Sequence, residues 1–106
     1  MIWRLTEVVT ELSIESTTLR GWIEQRWIRP SSSKGEVLFD EADIARARLI
    51  HELKRDFAVG DEAMPVVLQL LDQVYALRKA LNDLTRAIKS CPDSVQAEIS
   101  ERLRSH

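Results

Sequence analysis

The chain has 106 residues, 44% apolar and 30% charged, with a formal net charge of −2. That suits a domain with a modest core and excludes a disordered chain. The near-neutral balance gives no overall basic footprint for nucleic acid, and no apolar run approaches the roughly 20 residues that span a bilayer.

In chain order, Thr6 is the expected N-cap of a first short helix, with Leu5, Val8, Val9 and Leu12 on one face. A break falls at Ser13-Ile14. Glu15 or Ser16 then starts a second short helix through Gln25, with Leu19, Trp22, Ile23 and Arg26 at helical spacing. Two short helices joined by a tight turn make a helix-turn-helix. Pro30 pushes Arg29 out of the helical region, so Trp27 to Pro30 reads as an extended exit. Ser31-Ser32-Ser33-Lys34-Gly35 is expected as a flexible tip, and Glu36-Val37-Leu38-Phe39 as a short strand, together forming a hairpin wing. Asp40 caps a third helix to about Asp56, with Ile44, Ala47, Ile50 and Leu53 inward and Leu49 beside them. Phe57 and Val59 are expected to seal its end. Gly60 then suits a C-terminal cap, Asp61 an N-cap and Pro65 a first-turn position.

The next helix carries the strongest periodicity in the chain. Val67, Leu70, Val74, Leu77, Leu81, Leu84 and Ile88 are spaced 3, 4, 3, 4, 3, 4, the a and d seam of a coiled coil. This seam spans roughly 33 Å at about 1.5 Å per residue. Val66 and Leu71 widen it near its start, where packing on the chain's own domain is expected. Cys91-Pro92-Asp93 ends it, and Val95, Ile99 and Leu103 mark a short amphipathic helix beyond. Two covers for the seam follow: that tail folded back, or a second copy of the chain, which the seam's length favours. The expected organisation is a winged-helix-like domain over residues 1–60, a dimerisation helix over 61–90 and a C-terminal amphipathic helix or tail over 91–106.

Leu5-Thr6-x-x-Val9, Thr18-Leu19-Arg20-x-x-x-Glu24, Ile28-x-Pro30 and Gly35-x-x-x-Phe39-x-x-x-Asp43-Ile44, followed by a long helix, resemble a MerR-type winged helix. The fold class expected is therefore mainly all-α: a MerR-like winged helix-turn-helix with a short β-hairpin wing and a long dimerising helix. Leu38-Phe39-Asp40, Arg48-Leu49, Leu53 and the run Pro65-Val66-Val67-Leu68-x-Leu70-Leu71-Asp72-Gln73-Val74-x-x-Leu77 are similar to the CbpM chaperone-modulator family. That resemblance covers residues 4 to about 88. It implies a homodimer without catalysis that binds the J-domain of a CbpA/DnaJ-like co-chaperone and inhibits it. In that family the J-domain presents a basic helix used to engage DnaK.

An inhibitor of a basic helix needs complementary negative charge. Residues 36–62 carry a net charge of −4, and Asp40, Glu41, Asp56, Asp61 and Glu62 are the candidate contacts. The alternative is a MerR-like transcription regulator touching DNA through Arg20 and Lys34. Against it, residues 1–30 sum to zero charge, Ile14 to Thr17 hold no Lys or Arg, and Gly21 stands where DNA-binding members carry an aromatic. Glu36 also stands in the wing where phosphate would approach, and phosphate neutralisation supplies most non-specific affinity. Arg20 reads better as a solvated helix residue, or as one paired with Glu24 at i+4, than as a phosphate contact.

Trp3, Trp22 and Trp27 suit core and core edge better than an interaction surface. His51 has no second ligand at metal spacing, and Cys91 is the only cysteine, which removes an internal disulfide and argues against metal or redox sensing. No nucleophile–base pair, phosphate loop or paired carboxylates point to an enzyme, and no cofactor or metal is expected. The opening MIWRLTEVV reaches acidic Glu7 too early for a signal peptide, so a reducing cytoplasm is the expected location.

Overall fold

The computed structural model describes residues 1–105 and divides into two compact units, Met1–Val66 and the chain from Val67 onward. The first holds β1 (Trp3–Arg4), α1 (Leu5–Leu12), α2 (Ser16–Glu24), β2 (Ser31–Ser33), β3 (Glu36–Phe39), α3 (Glu41–Asp56) and the first residues of α4 (Met64–Lys89). The second holds the rest of α4 and α5 (Asp93–Arg104).

Helix α1 starts earlier than the sequence suggests. Arg4, not Thr6, is the extended residue before it, and the Arg4 backbone N–H donates to the Glu7 carboxylate at 3.0 Å. Arg4 belongs to β1, which pairs antiparallel with β3, so the helix begins directly out of a strand. Thr6 sits inside the first turn, its carbonyl accepting from the Thr10 hydroxyl. The break is where the sequence puts it. Ser13 is left-handed (φ 55), and the Ile14 N–H reaches back to the Val9 carbonyl at 3.1 Å.

Helix α2 closes in the same manner. Arg26 is left-handed (φ 63), its N–H donating to the Ile23 carbonyl, while the Trp27 N–H donates to the Trp22 carbonyl. This is a Schellman closure, and its hydrophobic pair is Trp22 with Trp27, both buried.

The wing is more ordered than a flexible tip. Ser31–Ser33 form β2, paired with β3 in the register Ser31↔Leu38, Ser32↔Val37, Ser33↔Glu36. Only Lys34 and Gly35 turn, with φ of 52° and 78°, as a type I′ hairpin requires. Three serines carry no strand signal in their side chains; backbone pairing at a sheet edge supplies it. The three-stranded sheet has the order β1-β3-β2. Phe39 from its central strand is fully buried with Val8, Leu19, Ile28 and Ile50.

Asp40 caps α3 as expected: its carboxylate accepts from the Asp43 N–H at 2.8 Å, and Asp43 accepts from the Asp40 N–H at 3.0 Å. Ile44, Ala47 and Ile50 are buried and Leu53 is half-buried. The far end departs from expectation. Phe57 does not seal the helix; it is 72% exposed. Ala58, not Gly60, takes the left-handed conformation (φ 53), and the half-buried Val59 closes the end by donating to the Leu53 carbonyl at 3.0 Å. Gly60 instead offers its carbonyl to the Ala63 and Met64 N–H groups, while Asp61 lies in the turn before α4, its carboxylate bound to Lys54 rather than capping the helix. Pro65 falls in the first turn of α4, where a missing N–H costs nothing.

Near the start of α4, Met64 and Leu68 are the buried positions, whereas Val66 and Leu71 stay exposed. In the second unit, α4 and α5 meet at a corner that the Gln96 amide braces by donating to the Cys91 carbonyl at 2.8 Å. The amphipathic tail is helical, but it does not fold over the seam. Helix α5 has no buried residue, and Leu70, Val74, Leu77, Leu81 and Leu84 all remain exposed; Val67 and Ile88 at the seam's ends are half-buried.

Candidate functional site

Three surfaces could carry function: the α2 and wing face, the two ends of α3, and the α4 ridge. On the first, Arg20 is exposed on α2 and has no salt-bridge partner among the described residues; the pair with Glu24 does not form. Lys34 is exposed at the wing tip. Arg20 and the wing share one cleft, lined also by Arg4, Thr6, Gly35, Glu36 and Val37. Within it Arg4 is tied to Glu36 at 3.4 Å, which neutralises one of the cleft's two cations. Glu15, at the start of α2, accepts from the Thr17 hydroxyl. This face therefore offers anions and cations in nearly equal number.

Beside it lies a groove of about 280 Å³ between α2 and the turn leading into α4. Thr17, Thr18, Gly21, Glu24 and Gln25 form one side, with Trp22, Trp27, Lys54 and Asp61 completing it. The Lys54 ammonium sits 5.7 Å from the Trp27 ring centroid and also donates to Asp61. The Arg46 guanidinium donates to the Trp27 carbonyl, so Trp27 is held from both sides. Its indole N–H is buried with no acceptor among the described residues. The sequence reading missed this groove. The available signal was Gly21, a glycine in the interior of a helix with no turn to explain it.

The candidate acidic residues divide between two places. Asp40 and Glu41 are at the N-terminal end of α3; Asp56, Asp61 and Glu62 lie at and beyond its other end. A helix of this length separates them by about 24 Å at ~1.5 Å per residue. The Asp43 N–H hydrogen bond holds the Asp40 carboxyl below its usual range, and burial pushes its capping partner Asp43 up. The hydrogen bond from Arg55 holds Asp56 down. Asp61 is bound by Lys54. Glu41 and Glu62 are exposed with no ion pair among the described residues.

The ridge has the opposite character. Leu77 is 65% and Leu81 62% exposed, and the remaining leucines and Val74 extend this apolar line along α4. The charges of α4 lie elsewhere around it, as in the Lys79–Asp83–Arg86 cluster. Cys91 at the end of the helix is half-buried, its thiol donating to the Ala87 carbonyl. His51 lies in a shallow cleft with Glu11, Arg48 and Arg55. No group of three or more His, Cys, Asp or Glu among the described residues could hold a metal, and no described helix is long and apolar enough to cross a membrane.

No curated protein and no solved structure gives a significant match to the chain. The family described as MerR HTH family regulatory protein matches residues 3–86, which takes in the helix-turn-helix, the wing, α3 and nearly all of α4. With most of its length matched, this chain belongs to the MerR HTH regulatory family.

Proposed function

We propose that this family member is a homodimeric chaperone modulator, not an enzyme, and that it binds the J-domain of a CbpA/DnaJ-like co-chaperone in the cytoplasm and inhibits it. The observation that carries this reading is the charge of the α2 and wing face. The cations Arg20 on α2 and Lys34 at the wing tip are matched in number by Glu15 and Glu24, and the wing's Glu36 consumes Arg4. A surface that must neutralise several phosphates needs a clear excess of Lys and Arg. Near balance suits a protein partner instead. The resemblance to CbpM, most specific along Leu70-Leu71-Asp72-Gln73, supplies the partner's identity.

In this reading two chains bury their α4 ridges against each other and each presents carboxylates to the basic helix of a J-domain. Asp56, Asp61 and Glu62 form the larger group, and Asp40 and Glu41 the smaller. Charges at the rim steer encounter, and apolar contacts hold the complex. Occupying the basic helix then denies it to DnaK by competition.

The test is calorimetric titration with a CbpA-type J-domain across a salt series. Binding that weakens with salt, and that drops for the double variant Asp61→Lys, Glu62→Lys, is the expected result. Unchanged affinity and salt dependence in that variant would refute the acidic contact. The second reading is DNA binding by a MerR-like regulator, favoured by the family match and by Arg20 and the wing sharing one cleft. Sequence-selective binding to a duplex, lost on Arg20→Ala, would establish it.

A further inference from the structure

We infer that the groove between α2 and the turn into α4 is a socket for one basic side chain of the protein partner, with Gly21 as its open floor; this rests on the J-domain reading above. Gly21 is the starting point. Glycine inside a helix is unfavourable relative to alanine, because it gives up more backbone freedom on ordering. Folds accept that where a neighbour would collide with a Cβ. Here nothing lies within 4 Å of the place a Cβ would occupy, and the backbone is not left-handed. No contact inside this chain explains the glycine. A contact with something outside the chain does, because a missing side chain lets a partner approach the α2 backbone.

The chemistry of the walls says what enters. Glu24 and Asp61 bring two carboxylates to the groove. The one cation there, Lys54, is already occupied by Asp61 and the Trp27 ring. The remaining charge is negative, and the Thr17 and Thr18 hydroxyls and the Gln25 amide oxygen add acceptors. Trp22 and Trp27 form the apolar wall beside them. A lysine or arginine has a matching profile: an apolar stem for the indole edges and a charged head for Glu24, the carboxylate that Lys54 leaves unpaired. The occupant is therefore a basic residue on the J-domain's basic helix.

The experiment separates stability from binding. The full-length protein and its variants Gly21→Ala, Gly21→Gln and Glu24→Gln are titrated with the J-domain protein at low and moderate salt, and each is melted by circular dichroism. Gly21→Ala should raise the melting temperature by roughly 4–8 °C, since it improves the helix and meets no atom, while weakening the J-domain. Gly21→Gln, folded by the same melting assay, should weaken the J-domain at least about tenfold by filling the socket. Glu24→Gln should weaken it about threefold or more and flatten the salt dependence. J-domain binding at wild-type strength by a folded Gly21→Gln and by Glu24→Gln would overturn the socket and leave the J-domain reading standing. Absence of any J-domain binding by the wild-type protein would overturn both.

Discussion

The replacement Leu77→Ala isolates what the α4 ridge is for. Leu77 is 65% exposed in the single chain, so its removal takes little from the folded monomer. Alanine is also the better helix former, so α4 itself is not weakened. If two chains bury their ridges against each other, the exposed part of Leu77 is hidden in both. Fully burying a leucine is worth about 1.5–3 kcal/mol, so the exposed part lost to alanine is worth about 1–1.5 kcal/mol per copy and about 2–3 kcal/mol per dimer. The dimer dissociation constant should therefore rise about 30- to 150-fold, read by sedimentation equilibrium over a concentration series. Tyr75→Ala is the control. Tyr75 is 72% exposed on the same helix but lies off the a and d line, so its removal should leave the constant unchanged. Equal dissociation constants for wild type and Leu77→Ala would refute the paired ridge, as would a wild-type protein that stays a single subunit at high concentration.

Arg26→Gly should stabilise the first unit by about 1 kcal/mol in urea unfolding, since the residue sits at φ 63 and an L side chain is strained there. Ile50→Ala empties a fully buried position at the centre of the core and should cost about 2–5 kcal/mol in the same assay. Asp40→Asn tests the pH sensitivity of the α3 cap. The Asp43 N–H holds the Asp40 carboxyl below its ordinary 3.8 in the fold, so its contribution is present above that pH and lost as pH falls through the lower folded value. Asparagine caps equally well without titrating, so stability should fall less steeply below pH 3.8 in the variant than in wild type. Parallel acid limbs in the two proteins would contradict that account.

The sequence alone carried the elements whose signals are local. Helix breaks at Ser13 and after Gln25, the Asp40 cap, the inward face Ile44-Ala47-Ile50 and the period of α4 depend on residues a few positions apart, and all stand where the sequence puts them. The family was legible for the same reason, since its motifs are spacings within these elements. The tertiary structure decided whatever depends on residues far apart in the chain. Strand β1 exists because β3 offers Trp3 and Arg4 a ladder, and that pairing moves the start of α1 from Thr6 to Arg4. Three serines become a strand by pairing alone. Phe57 points outward because the chain turns at Ala58 rather than Gly60. The groove joins Gly21 on α2 to Lys54 and Asp61 more than thirty positions later, and the acidic candidates divide because α3 holds its ends apart. Periodicity and capping are properties of a segment; pairing, closure and grooves exist only once segments meet.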